Sequence, residues 1–243
     1  MEKRIPVNLP AGRKTLSLVL KTVVILSAVI GTWLSYAAGR GSFMGGGQVF
    51  MYFTIQSNIL LAILCLAGMG FLLQNRGVPA WWFTLKLVGT VSITLTGVVF
   101  AFVLAPTLGS HAWNLQNTLT HVVVPLASIL DFFVTGVCGR IPKRSVFLVT
   151  IPPLAYAVYA GIGYLAGWDF AGGVHYPYFF LNWGSPAGAF GFTKDLPFMG
   201  TAWWIAAILL FLLVVGALYR KLLDALRKRL SPDKQTQGVS GKT

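Results

Sequence analysis

The stretch VFMYFTIQSNILLAILCLAGMGFLL, residues 49–73, is long and apolar enough to cross a bilayer as a single helix. Its first half nevertheless carries four polar side chains, those of Thr54, Gln56, Ser57 and Asn58. Polar groups inside a bilayer are costly unless they find partners, so they mark either helix contacts or a functional cavity. Their positions are therefore the most informative part of the sequence.

The composition of the whole chain is that of an integral membrane protein. Of its 243 residues, 56% are hydrophobic and 10% are charged, and the mean hydropathy of +0.72 is far from that of soluble domains. Six apolar stretches reach the roughly 20 residues that a membrane helix needs. They cover residues 15–38, 49–73, 82–105, 112–134, 145–166 and 200–219. We therefore expect an all-α, polytopic membrane protein with six transmembrane helices.

Basic residues are unevenly distributed among the connections between these stretches. Those before the first stretch and after the second, fourth and sixth are Lys3, Arg4, Arg13, Lys14, Arg76, Arg140, Lys143, Arg144, Arg220, Lys221, Arg227, Lys228, Arg229, Lys234 and Lys242. The opposite connections contain only Arg40 and Lys194 as basic residues. Because basic loops remain in the cytoplasm, this pattern predicts that both termini are cytoplasmic.

The net charge of +13 follows from these helix ends. We expect the cations to set the topology and to meet anionic lipid at the cytoplasmic face, and we expect no nucleic-acid partner. Residues 1–220 form the predicted transmembrane domain, in which the aromatic-rich loop 167–200 caps the outer ends of the helices. Residues 221–243 form a basic cytoplasmic tail that first continues the last helix as an amphipathic extension along the membrane surface.

Two polar faces lie at a similar depth on the outer side. In the second stretch, Thr54, Ser57 and Asn58 share one turn of a helix. In the fourth stretch, Asn117 and His121 lie on one stripe. With a rise of about 1.5 Å per residue, Thr54 lies about 8 Å and His121 about 12 Å below the outer boundary. If the two helices are neighbours, the two side chains form a pair.

This pair has the residue types of a nucleophile and its base. A threonine hydroxyl attacks well only when a base takes its proton, and histidine is the usual base near neutral pH. The candidates for oxyanion or substrate binding are Ser57, Asn58, Asn117, Tyr176 and Tyr178. Asp169 and His175 become candidates for a third catalytic residue only if the cap loop folds inward. Pro125 removes the N–H that would bond the His121 carbonyl, so we expect a kink there.

Other interpretations of these residues remain open. Thr54 can bond its own backbone, and Ser57 and Asn58 can serve as packing contacts between helices. A transporter or lipid-binding sensor would use His121 and Asp131 as ligand or proton-relay groups.

Asp131 alone is expected to pair with Arg140 or Lys143 near the cytoplasmic end. A haem site at His111 or His121 lacks a second histidine at matching depth, and His111, His121 and His175 lack metal-ligand spacing. Cys65 and Cys138 are poorly placed for a disulfide or a thiolate site. We expect no cofactor and no metal.

Three motifs together resemble one known family. They are YFTIQSN at 52–58, HVVVPLASILD at 121–131 and VHYPYFFL at 174–181. Their order and placement are similar to those of the androgen-induced gene and androgen-dependent TFPI-regulating proteins, which are six-helix membrane proteins with bacterial relatives. The resemblance extends from the first to the sixth apolar stretch.

The resemblance implies an atypical threonine hydrolase that cleaves fatty acid esters of hydroxy fatty acids or similar lipid esters within the membrane. The nucleophile and the second catalytic residue of the family fall on Thr54 and His121. The residues IQSN after the threonine and Asp131 resemble the bacterial branch, which implies a bacterial inner (plasma) membrane protein. That branch leaves the ester undefined.

Overall fold

Six helices are long and apolar enough to cross a membrane. The computed structural model describes residues 4–38 and 46–230, with the side chain of His111 excepted. Its helices are α1 (Ala11–Ala37), α2 (Phe53–Leu73), α3 (Trp81–Leu108), α4 (Leu115–Gly136), α5 (Lys143–Leu165) and α6 (Thr201–Leu230). The prediction of six spans is confirmed, and the chain is an all-α, multi-pass membrane protein. Arg40 and the tail beyond residue 230, which entered the topology prediction, lie outside the described residues.

One helix start differs from the sequence prediction. The second span begins at Phe53 and not at Val49, because a 3₁₀ helix over Gly46–Met51 is followed by Tyr52 in an extended conformation with φ −94° and ψ 139°. The last helix continues without interruption to Leu230, so the predicted helical extension into the tail is present. Its extension packs on the protein, where Leu223 is 1% exposed.

Helices α3 and α4 each contain one π turn, over Phe100–Leu104 and Leu119–Val123. In each, the backbone N–H after the turn donates to a carbonyl five residues back. Pro106 and Pro125 lie two residues after these turns. A proline cannot donate to the carbonyl four residues back and its ring clashes with that carbonyl, so a wider turn accommodates it. The kink expected at Pro125 therefore takes the form of a π turn, a feature often found at functional sites.

Helix α3 is the centre of the bundle. It packs against α2 and α4 on one side and against α5 and α6 on the other, while α1 covers α2 and α4. In its most apolar window 61% of the residues are buried, compared with 17% in α6. The many threonines of α3 are therefore inside the protein, whereas α6 presents most of its surface to lipid.

The two ends of the bundle are closed differently. At the end carrying the basic connections, here called the basic side, strands β1 (Arg4–Ile5) and β2 (Val78–Pro79) pair antiparallel. At the opposite end, here called the cap side, loop 167–200 packs over the helices with Phe170, Phe180 and Leu181 buried. A short 3₁₀ helix over Phe179–Leu181 lies inside this loop, and another over Gly109–His111 follows α3. The predicted cap loop thus covers one end of the bundle.

The segment that follows α4 packs closely against α3 at Gly139, and a substitution there tests this packing. A Cβ at this position would lie 2.2 Å from the ring of Phe83, which is 2% exposed. Replacing Gly139 by Ala is expected to destabilise the protein by about 1–3 kcal/mol, the usual cost of overpacking a rigid site. The measurement is the thermal unfolding midpoint of purified protein in detergent.

Gly70→Ala is the matched control, because nothing lies within 4 Å of a Cβ at this position of α2. Alanine also has the higher helix propensity, so the midpoint should stay unchanged or rise slightly. Equal midpoints for the two variants would contradict the packing described for Gly139.

Candidate active site

Thr54 and His121 lie side by side below the cap loop. Thr54 is the second residue of α2, and His121 is in the π turn of α4. The Thr54 Oγ1 atom is 3.3 Å from the His121 Nε2 atom. Both residues are buried, with exposures of 4% and 6%. The structure thus brings together the two side chains that the sequence places at a similar depth.

The tautomer of His121 follows from its other ring nitrogen. Nδ1 lies 3.0 Å from the Asn117 carbonyl oxygen, which can only accept a hydrogen bond. It is also 3.1 Å from the Thr120 hydroxyl, whose proton is donated to the Gln116 carbonyl. Nδ1 therefore carries the proton and Nε2 presents its lone pair to the Thr54 hydroxyl. This is the tautomer that a general base for Thr54 requires.

The ring of His121 is held by α3. It stacks on Phe100 with a centroid distance of 3.9 Å and an angle of 20° between the rings. A Cβ on Gly97 would lie 2.9 Å from the His121 carbonyl oxygen, so glycine permits the close approach of α3 and α4 here. The π turns of both helices thus meet at the His121 ring, which fixes its orientation.

Tyr178 of the cap loop faces the same threonine. Its hydroxyl oxygen lies 3.4 Å from the Thr54 backbone nitrogen, which donates to it, and 3.5 Å from Thr54 Oγ1. The N–H of Thr54 is available because the first N–H groups of a helix have no partner within the helix. Burial raises the pKa of Tyr178, so its hydroxyl keeps its proton at neutral pH. Thr54 N–H and Tyr178 O–H are two donors beside one nucleophile.

Ser57 and Asn58 support the backbone of Thr54 and do not face its hydroxyl. The Ser57 hydroxyl donates to the Thr54 carbonyl at 2.9 Å and pairs with Thr96 of α3 at 2.9 Å. The Asn58 amide donates to the Thr54 carbonyl at 2.8 Å and to the Thr120 carbonyl at 3.2 Å. These bonds use the protons of both side chains. Neither residue has a free donor for an oxyanion in this arrangement, and both tie α2 to its neighbours.

The remaining predicted site residues have different positions. The Asn117 amide donates to the Ala112 carbonyl at 2.8 Å, so this residue serves the site through its backbone and not through its side chain. Tyr176 is half-buried and lines neither of the two cavities beside Thr54. Asp169 and His175 are exposed and bond to Gly173 and Trp168 within the cap loop, so neither reaches His121.

Thr54 lies at the boundary of two cavities of opposite character. The apolar cavity extends between α3, α5, α6 and the cap loop; its walls include Leu95, Val99, Tyr156, Tyr178, Ile205 and Ile208. The larger, polar cavity lies beside α4; its walls include Ser35, Asn114, Gln116, Asn117, Thr120 and His121. Thr54 and Leu104 line both cavities. An apolar chain and water can therefore reach the Thr54 hydroxyl from different sides.

The predicted partners of Asp131 are wrong. Its carboxylate binds Lys21 of α1 and Lys86 of α3, and not Arg140 or Lys143. All three side chains are almost completely buried. Asp131 is in the interior of α4, where the lysines of neighbouring helices are nearer than the basic loop after its last turn.

No metal centre is formed by the residues that the structure describes. Within 4–38 and 46–230, no group of three His, Cys, Asp or Glu residues lies close enough together to hold an ion. Cys65 is buried in the apolar interior and Cys138 is partly buried, and both are free thiols.

Four residues of the interior were missed at the sequence level. Phe100 and Tyr156 are aromatic residues in apolar spans, where nothing distinguishes a site residue from a packing residue. Lys21 and Lys86 did carry a signal, since an ionisable side chain inside a predicted span is a functional candidate in the same way as His121. That signal predicts a site but not which helices meet there.

Comparison with known proteins adds no family assignment. No protein-family model, no curated protein and no solved structure matches the chain. The functional interpretation therefore depends on the geometry of the site and on the sequence motifs.

Proposed function

We propose that this protein is an integral membrane hydrolase that cleaves lipid esters, with Thr54 as nucleophile and His121 as general base. The substrate class is a fatty acid ester of a hydroxy fatty acid or a similar ester with long apolar chains. The resemblance of the three motifs to membrane threonine hydrolases agrees with this proposal. The chain would work without a cofactor.

One observation carries the proposal. The Thr54 hydroxyl faces the unprotonated nitrogen of a buried histidine at the boundary between an apolar and a polar cavity. A threonine that only bonds its own backbone would not face a base, and a histidine that only packs between helices would not line a polar cavity. An ester whose acyl chain occupies the apolar cavity would present its carbonyl carbon at Thr54, with the polar cavity open to water.

The first half of the reaction forms an acyl-enzyme. His121 Nε2 takes the proton of Thr54 as Oγ1 attacks the carbonyl carbon, and the carbonyl oxygen becomes an oxyanion. The Thr54 N–H and the Tyr178 O–H are the donors placed to stabilise it. When the intermediate collapses, the leaving alkoxide receives the proton from His121 and departs as the alcohol. The acyl group remains as an ester on Thr54.

The second half regenerates the enzyme. A water molecule from the polar cavity attacks the acyl-Thr54 carbonyl while His121 accepts its proton. The tetrahedral intermediate expels Thr54 Oγ1, which takes the proton back from His121, and the fatty acid is released. The Asn117 carbonyl holds the Nδ1–H throughout and stabilises the imidazolium that forms in each half.

The separation of the two polar regions supports a hydrolase over a transporter. Asp131 lies ten residues from His121, about 15 Å along α4. At intermediate positions of the four inner helices lies a mainly apolar layer, whose cluster includes Val24, Leu61, Ile93 and Val124. Its buried polar side chains, among them Thr90 and Ser128, carry hydroxyl groups without a hydrogen-bond partner among the described residues. The polar cavity and the small cavity beside Lys21 and Lys86 share no lining residue. A relay from His121 to Asp131 would have to cross this layer, in which the described residues form no connected chain of hydrogen bonds from one site to the other.

We further propose that the basic side faces the cytoplasm, with both termini there, in a bacterial inner (plasma) membrane. The excess of basic residues in its connections supports this orientation. The exposed cations of that face would meet anionic lipid, although Arg220 and Arg227 also pair with Asp224. The ester site would then open within the outer leaflet.

The hydrolase is tested by substituting the nucleophile and the base. Thr54→Ala and His121→Ala are each expected to lower the hydrolysis of a fatty acid ester of a hydroxy fatty acid at least about a thousandfold, because each removes one member of a nucleophile–base pair. Thr54→Ser keeps a hydroxyl and should retain measurable turnover. The measurement is fatty acid release by purified protein in detergent.

Thr22→Ala is the control for these variants, since Thr22 is an exposed threonine of α1 whose hydroxyl donates to the carbonyl four residues earlier. Its turnover should equal that of the wild type. Hydrolysis that survives both Thr54→Ala and His121→Ala would overturn the mechanism.

The role of Tyr178 as an oxyanion donor predicts a defect in kcat rather than in KM. Tyr178→Phe keeps the ring and removes the hydroxyl, and the loss of one such donor typically costs about a hundredfold in rate. Tyr176→Phe, two residues earlier in the same loop, should leave the rate unchanged. Steady-state kinetics of the two variants make the comparison, and equal rates would remove Tyr178 from the mechanism.

The orientation predicts which engineered cysteines can be labelled in intact cells. On a Cys138→Ser background, an impermeant maleimide should label Lys194→Cys in the cap loop without lysis. Arg144→Cys on the basic side should become reactive only after the membrane is broken. Both positions are exposed in the structure. The reverse pattern would invert the proposed topology.

A further inference from the structure

Three helices meet at a buried cluster of charged side chains on the basic side of the bundle. The Asp131 carboxylate of α4 accepts from Lys21 of α1 at 2.5 Å and from Lys86 of α3. Ser17 also donates to this carboxylate, at 2.6 Å. The exposures of Lys21, Lys86 and Asp131 are 2%, 6% and 1%. The proposed hydrolase uses none of these groups.

The charges of this cluster do not balance. Two ammonium groups share a single carboxylate, which leaves one positive charge in excess. The other acidic residues that the structure describes are elsewhere: Asp169 and Asp195 lie in the cap loop, and Asp224 pairs with Arg220 and Arg227. An uncompensated charge is strongly disfavoured when it is removed from water, so such a cluster favours the binding of a counter-charge.

The hydrogen bonds are incomplete in the same way. A lysine ammonium has three protons to donate. Lys21 donates to Asp131 and to Ser17 at 2.7 Å, and Lys86 donates to Asp131 and to Thr135 at 3.0 Å. Among the described residues, each ammonium therefore has two acceptors and one N–H without an acceptor. One small acceptor between the two lysines would satisfy both.

A cavity lies where such an acceptor would sit. Lys21, Lys86 and Thr135 line it together with apolar groups; the apolar walls include Val7, Phe71, Val78, Trp82 and Phe83. Gly68 leaves space for the Lys21 side chain, since a Cβ there would lie 2.8 Å from the Lys21 Cε. This cavity is smaller than both the apolar and the polar cavity beside Thr54.

We propose that this cavity binds a small inorganic monoanion of the halide class between the Lys21 and Lys86 ammonium groups. One negative charge cancels the excess positive charge, and the anion accepts the remaining N–H of each lysine. The apolar walls and the near-complete burial of the lysines exclude a bulky headgroup. Bound there, the anion joins α1, α3 and α4 on the basic side of the apolar layer, independently of any ester hydrolysis at Thr54.

A ligand that binds only the folded state raises the stability of that state with its concentration. The unfolding midpoint of the purified full chain in detergent is therefore expected to rise when chloride replaces gluconate at constant ionic strength. At chloride concentrations about a hundred times the Kd, the rise should be about 5 °C or more. Bromide should replace chloride with a similar effect.

Lys86→Met identifies the site. It removes one ammonium group and leaves a balanced Lys21–Asp131 pair, so its midpoint should no longer depend on chloride. Lys14→Met is the matched control, because Lys14 lies in the same basic half, is partly exposed and bonds to Asn75. This variant should keep the full chloride dependence.

The wild-type measurement is decisive without any variant. A midpoint that is the same in chloride and in gluconate would overturn the anion site, whether or not Lys86→Met folds. A chloride dependence that Lys86→Met or Lys21→Met retains in full would place the effect elsewhere and would equally refute the proposal.

Discussion

A polar group between membrane helices has to find its partner inside the protein, because lipid offers none. This constraint organises the cap side of the bundle. Ser57 and Asn58 donate to the Thr54 carbonyl and reach across to Thr96 of α3 and Thr120 of α4. The same hydrogen bonds also fix the first turn of α2. Thr54 is consequently held in place by groups that take no part in the proposed chemistry.

The site itself is built where the helices are irregular. The extended Tyr52 precedes α2 and lies two residues before Thr54, so the Thr54 N–H is in the first turn and donates to Tyr178. The π turns of α3 and α4 bring the rings of Phe100 and His121 together. In an uninterrupted helix the Thr54 N–H would bond a carbonyl of the preceding turn and would be unavailable to Tyr178. The positions of the proposed catalytic groups thus depend on these helix irregularities as much as on side-chain identity.

Ionisable side chains occupy two levels inside the bundle, and a mainly apolar layer with a few buried hydroxyl groups lies between them. The upper level holds Thr54 and His121, and the lower level holds Lys21, Lys86 and Asp131. The layer between is made by the cluster of apolar residues from the four inner helices. Because burial of charge is costly in this layer, each level has to be satisfied by itself. This separation would allow the proposed ester site and the ion cluster to share α4 without sharing a function.

Length, apolar composition and the spacing of polar residues were sufficient to predict the six spans and to place Thr54 and His121 at a similar depth, but not to predict that their helices are neighbours. Both predictions depend on the regular rise of a helix, because a fixed rise per residue converts a position in the sequence into a depth in the membrane. The tertiary structure alone decided the partners of Asp131, because Lys21 and Lys86 come from helices far away in sequence. It also decided the tautomer of His121 and the two cavities at Thr54, since these depend on how neighbouring helices approach each other. Depth is a property of one helix, whereas a partner is a property of the packing of several.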